Sequence, residues 1–207
     1  LLIESQYRKL FDLGDLILES AFLPSSGNNS IKGFLKIKGN ARLDHSTFLN
    51  VDTTLISDTS FLGKYGYDDR DRFLNSISFE KFSNRSTLQA STLYHTSLRD
   101  SNTVEPLVLP DLRYRKYRKF KKYGLILSEK YALVGISRRE GTSYSRLSTD
   151  IELSKSWQTE NGLIVRGTGN VLAAAYSENN INTERYLLKV YPLGALEFKY
   201  PFFRGRN

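Results

Sequence analysis

The stretch Leu147-Ser148-Thr149-Asp150-Ile151-Glu152-Leu153-Ser154 decides the fold class. Leu147, Thr149, Ile151 and Leu153 place a mostly apolar set at every second position, and Ser148, Asp150, Glu152 and Ser154 fill the positions between them. A β-strand sends successive side chains to opposite faces, so this octet reads as a strand with one apolar and one polar face. A helix of 3.6 residues per turn would scatter both sets around its circumference. The alternation recurs. Phe73, Ile77 and Phe79 alternate with Arg72, Ser76, Ser78 and Glu80. Leu88, Ala90, Thr92 and Tyr94 alternate with Gln89, Ser91 and His95, and Leu49, Val51, Thr53 and Leu55 with Asn50, Asp52 and Thr54.

Extended outward, the pattern predicts eleven strands, near 2–11, 15–24, 32–43, 46–57, 71–82, 85–98, 107–119, 123–138, 142–157, 162–176 and 184–202. Many exceed the ~9–11 residues that span a bilayer, and most are about twice the ~5–6 residues of a mean globular strand. No helical period separates them, which predicts an all-β, antiparallel up-and-down meander. Short connections are expected at 12–14, 43–45, 83–84, 121–122 and 160–161. Longer ones are expected at 25–31, 58–70, 99–105 and 177–183, with a short link at 139–141 in that second series. Short turns at one end and longer loops at the other are the asymmetry of outer-membrane barrels. Residues 1–207 are therefore read as part of one transmembrane β-barrel domain, an open curved sheet cut from a larger barrel.

Composition agrees. No apolar run approaches the ~20 residues of a membrane-crossing helix, whereas barrel strands hide their apolar residues by alternation. The chain has no Cys, which excludes disulfide and thiolate chemistry. It also has no Met and begins at Leu1, which reads as an internal fragment or a processed chain. No signal-peptide pattern is present from which to read a compartment. Aromatics gather near strand ends, at Phe61, Tyr65, Tyr67, Tyr114, Tyr117, Tyr123, Tyr176, Tyr200, Phe202 and Phe203, where an interfacial girdle would put them.

Catalytic signals are weak. His45 and His95 are the only histidines and fit no metal-binding spacing, so neither a metal nor another cofactor is expected. Ser143 and Ser145 lack a nucleophile elbow, and Asp68, Asp69, Arg70 and Asp71 read as a solvated loop. No Ser-His-carboxylate set supports a barrel lipase, so the chain is not expected to be an enzyme. The net charge is +8, and its densest part is Arg113-Tyr114-Arg115-Lys116-Tyr117-Arg118-Lys119-Phe120-Lys121-Lys122-Tyr123. That run could meet a polyanion or lipid phosphate through Arg113, Arg115, Lys116, Arg118, Lys119, Lys121 and Lys122. No nucleic-acid-binding motif accompanies it, so nucleic acid is not the expected partner. Pro192, with Gly194 beside it, predicts a bulge or break in the last strand, and Gly167 and Gly169 predict a bend or close packing.

Five features follow one another along the chain. They are Tyr7, Arg8 and Phe11 before a turn at Gly14; Phe61, Leu62 and Tyr65 followed by Asp71, Arg72, Leu74 and Ser76; and Pro106, Leu109, Pro110 and Tyr114. Next come Arg138, Gly141 and Arg146 before Trp157 and Gly162, and finally Arg185, Pro192, Tyr200, Pro201 and Phe202. In this order they resemble the carboxy-terminal barrel of the lipopolysaccharide-assembly family LptD, especially its alphaproteobacterial form. The resemblance implies a barrel that carries lipopolysaccharide into the outer leaflet of a Gram-negative outer membrane. It also implies a plug lipoprotein like LptE, and a periplasmic bridge like LptA reached through an amino-terminal jelly roll that this chain lacks. By the same resemblance, further carboxy-terminal strands are expected outside these residues. Pro106, Pro110, Tyr114, Arg138, Gly141, Arg146, Pro192, Tyr200 and Pro201 are the family-like positions, structural rather than catalytic. Two other readings stand beside this one: a different outer-membrane barrel, such as a porin or receptor, and a soluble β-protein binding a polyanion through 113–123.

Overall fold

Alternation becomes a single antiparallel sheet. The computed structural model describes residues 2–24, 31–99, 105–180 and 183–201. Eleven strands follow in chain order: β1 (Ile3–Phe11), β2 (Gly14–Pro24), β3 (Ile31–Arg42), β4 (Thr47–Ile56), β5 (Arg72–Ser83), β6 (Ser86–Ser97), β7 (Leu107–Phe120), β8 (Leu125–Ser137), β9 (Ser143–Gln158), β10 (Ile164–Asn180) and β11 (Thr183–Lys199). Each pairs with its sequence neighbours, in the order β1 to β11, and the sheet is open with β1 and β11 as its edges.

One rung crosses all eleven strands: Phe11, Gly14, Ala41, Leu49, Phe79, Ala90, Leu112, Leu133, Leu147, Ala175 and Leu188. Every member is apolar, so the two-residue period stays in phase from edge to edge. The rung also measures the slant of the strands. It meets β1 at its last residue, Phe11, but meets β11 at Leu188, eleven residues before its end at Lys199 (199 minus 188). With the short turns level, eleven residues at ~3.3 Å over ten strand spacings of ~4.8 Å give a tilt of about 37°. Membrane barrels tilt their strands by ~35–45°.

The apolar face carries no second layer among the described residues. Leu147 is 58% exposed and Leu153 42%. A soluble sheet buries such residues against another element, and none of the described residues supplies one. A small apolar cluster lies instead at the long-loop end, where β4 and β5 stop pairing after Asp52 and Ser76. There a one-turn helix, α1 (Phe61–Lys64), packs Phe61 and Leu62 with Ala21, Phe34 and Phe73. The Asn75 side chain replaces the lost ladder. Its carbonyl accepts from the Thr54 backbone N–H (2.7 Å) and the Thr53 hydroxyl (2.8 Å), and its amide donates to Thr96 (2.9 Å).

Four local expectations change. α1 lies in a segment expected to be loop. Phe61 and Tyr67 belong to this packed corner rather than to a lipid-facing girdle, while Phe202 and Phe203 lie outside the described residues. The expected loop at 177–183 shrinks, because β10 runs on to Asn180, which pairs with Thr183. Pro192 makes no bulge. It pairs with Val171 in unbroken register, on an edge strand where a missing donor is tolerated. The irregularity sits in β7, which holds one extra residue between Val108 and Asp111 against both neighbours, around a cis Leu109–Pro110 bond. Gly167 does pack closely. A Cβ there would meet the Trp157 ring at 3.2 Å, whereas Gly169 faces open space.

Candidate functional site

The face opposite the apolar rung is a lattice of cross-strand polar contacts. Glu19 accepts from Gln6 (3.0 Å) and pairs with Arg8 (3.7 Å) and Lys36 (3.6 Å). Lys38 pairs with Asp52 (3.4 Å), and Gln89 donates to Glu80 (3.1 Å). Farther along, Asp150 accepts from Lys130 (2.8 Å) and Asn170 (2.6 Å), while Arg166 reaches Glu152 (3.3 Å). These side chains alternate with the apolar set, so strand geometry alone puts them on one surface. The pattern suits a hydrated surface, where ions of both signs pair across strands.

Strand alternation also divides the basic run. Arg113, Arg115, Tyr117 and Lys119 of β7 share the polar face. Tyr114, Lys116, Arg118 and Phe120 share the apolar one, and Lys121 and Lys122 lie in the β7–β8 turn. The seven cations therefore do not form one patch. On the polar face the half-buried Asp111–Arg113 pair is bidentate, at 3.0 and 2.9 Å. Arg115 sits opposite Lys130 and has no carboxylate of its own among the described residues. Beside them opens a cleft of about 400 Å³, lined by Arg85, Thr87, Arg115, Tyr117, Ser128 and Lys130. Its charge and hydroxyls suit phosphate or sugar oxygens. It lies at the short-turn end, because the Tyr117 N–H donates to the Arg85 carbonyl (2.8 Å) at the β5–β6 turn.

The family-like positions are dispersed. Pro106 precedes β7, Pro110 sits in its irregular stretch, and Tyr114 stacks on Tyr131 with centroids 6.3 Å apart. Arg138 and Gly141 lie in the β8–β9 connection, where the Arg138 guanidinium donates to the Thr142 carbonyl (2.8 Å) and Gly141 takes a φ of +105°. Arg146 lies over the Tyr176 ring at 5.3 Å on the polar face. Pro192 is in β11, and Tyr200 and Pro201 follow it. They form no common site. The Arg85 contribution to the cleft was missed in the sequence, since Arg85 lies some thirty residues before the basic run (115 minus 85) and only the β6–β7 register joins them. Among the described residues no group of three or more His, Cys, Asp or Glu is placed to hold a metal. No helix among them is long and apolar enough to cross a membrane, which says nothing of strands.

Among curated proteins no relative matches the chain. The family model described as LptD, LPS transport system D, matches residues 30–204, from just before β3 to beyond β11. An all-β meander with one lipid-compatible face agrees with that match, and the family is one of lipopolysaccharide transport at the outer membrane rather than a known enzyme family. The chain belongs to the LptD family.

Proposed function

We propose that this chain is a stretch of wall from an outer-membrane barrel through which lipopolysaccharide passes to the outer leaflet of a Gram-negative cell. The observation that carries the reading is the separation of the two faces. An unbroken apolar rung backs a surface of cross-strand ion pairs and amide contacts. The apolar face meets lipid and the polar face lines a wet lumen. The basic cleft at Arg85, Arg115 and Lys130 holds phosphates of the passing glycolipid. No covalent step is assigned to the chain: it provides a path. A plug lipoprotein like LptE fills the lumen, and a bridge protein like LptA delivers lipopolysaccharide through a periplasmic domain outside residues 1–207, which belong to a single barrel domain.

Photo-crosslinking in cells tests this reading. A photoreactive residue replacing Gln89 or Thr87, on the polar face, captures lipopolysaccharide. The same probe at Leu153 or Ile151, on the apolar face, does not capture it in transit. Equal capture from both faces, or none from the polar one, sinks the proposal.

A further inference from the structure

The polar face pairs most of its charges, so charge on the other face stands out. Register places five cations there: Lys9, Lys81, Lys116, Arg118 and Lys155. Each lies two to four residues from the short-turn end of its strand (for example 11 minus 9, and 120 minus 116). Among the described residues none lies on the long-loop half of that face. Among the described residues only Arg118 has an acid within ion-pair distance, Glu129 at 3.0 Å. The four lysines have no carboxylate within ion-pair distance among the described residues.

Each cation also has an aromatic or apolar platform beside it. Two residues along on the same face stand Phe11 for Lys9, Phe79 for Lys81, Tyr114 for Lys116, Phe120 for Arg118 and Trp157 for Lys155. Lys9 lies over the Phe11 ring at 4.9 Å and Lys155 over Trp157 at 5.4 Å. Charge on a lipid-facing strand is tolerated near the headgroups and not at mid-membrane. Aromatic rings gather at that same level. A lysine stem can lie along apolar surface while its ammonium reaches water and phosphate.

We propose that the short-turn end of the apolar face is a docking belt for anionic phospholipid headgroups, with Lys9, Lys81, Lys116 and Lys155 contacting the phosphates. The inference rests on the reading that this face meets lipid, but not on what crosses the lumen. The partner is anionic because no close ion pair among the described residues neutralises the four lysines: Asp44 acts on Lys81 only at longer range, and Glu129, opposite Lys116, is bound to Arg118. It is a phospholipid layer because the five positions follow the turn-side edge of the sheet from β1 to β9 rather than converging on one pocket. The belt thereby fixes the height of the barrel in the membrane.

The test uses the full-length protein with its plug, purified in a mild detergent and exchanged into vesicles of phosphatidylcholine with or without phosphatidylglycerol. Native mass spectrometry and lipid retention read the bound lipid. Phosphatidylglycerol is retained several-fold over phosphatidylcholine, and the preference disappears in the K9Q/K81Q/K116Q/K155Q variant and in high salt. Should that variant fold poorly, K116Q/K155Q alone halves the preference. No preference in the wild type, a preference that survives the substitutions, or displacement of phosphatidylglycerol from the belt by added lipopolysaccharide overturns the proposal. A barrel that keeps the preference while its polar face captures no lipopolysaccharide separates a failure of the transport reading from a failure of this one.

Discussion

Gly135 of β8 lies against the carbonyl of Leu109, so close that a Cβ added at Gly135 would stand 2.6 Å from that oxygen and 3.2 Å from Pro110 Cδ. The extra residue of β7 pushes its backbone toward β8 here, and only glycine leaves room for it. Gly135→Ala therefore forces the backbone to move and costs about 1–3 kcal/mol. Gly169→Ala is the control, since nothing lies within 4 Å of a Cβ there. Urea unfolding of the refolded barrel in detergent reads both. Equal stability of the two variants contradicts the close approach.

Asn75 stands where the β4–β5 ladder ends, and one side chain meets partners on β4 and β6. Truncation leaves the Thr54 N–H, a buried residue's donor, without its acceptor. Asn75→Ala is expected to cost about 1–3 kcal/mol, the usual penalty of an orphaned buried donor. Because α1 packs at the same corner, hydrogen exchange should rise first at 53–56 and 61–67. Unchanged exchange in those segments would show that Asn75 does not hold the corner.

Much of this was legible in the sequence, for a definite reason. Period-two alternation fixes both the strand and its face, so Leu147 to Ser154 placed eight side chains correctly before any partner was known. The division of the basic run was also written there: Arg113 and Arg115 differ in parity from Lys116 and Arg118. Register was less legible, because it depends on backbone pairing. Arg85 and Arg115 meet at one cleft only through the pairing of Thr87 with Arg115. Prolines misled because the side of the ladder that loses its donor cannot be read from the residue. Pro192 keeps register at an edge, while the stretch around Pro110, between two neighbours, holds an extra residue. Helix α1 has four residues, too few to display a helical period.

The β3–β4 turn carries a pH-dependent contribution at Asp44. Its carboxylate accepts the Ser46 backbone N–H (2.6 Å), the Thr47 hydroxyl (2.8 Å) and the Ser46 hydroxyl (2.9 Å), which hold its pKa down to about 2 from the ordinary 3.8. A carboxyl depressed in the folded state stabilises fully above its unfolded pKa and loses that contribution as pH falls through the folded one. The turn should therefore weaken between about pH 4 and pH 2. Unfolding midpoints measured across that range should fall further for the wild type than for Asp44→Asn, whose amide cannot titrate. Parallel slopes would mean that Asp44 is not so held.

Ile151 and Thr168 test the two faces with one side chain. Ile151 belongs to the apolar face, 37% exposed, between Glu129 and Val171 on the neighbouring strands. It lies seven residues from the turn end of β9 (158 minus 151), in the middle of the length that spans a bilayer. Thr168 lies on the polar face, between Ser154 and Ala195, with Glu152 and Glu197 on the diagonals. An arginine facing lipid near the midplane costs about 2–4 kcal/mol because hydrocarbon does not solvate it, a cost that Glu129, directly opposite on β8, offsets only in part. An arginine facing a wet, acid-bearing lumen does not incur that loss. Ile151→Arg should thus lower the urea midpoint of folding into lipid vesicles, and Thr168→Arg should leave it within experimental scatter. The same pair measured in detergent should differ less, since a micelle deforms around a charge more readily than a bilayer. If both arginines cost the same in vesicles, the apolar face is not the one that meets lipid, and the assignment of lumen and membrane sides is wrong.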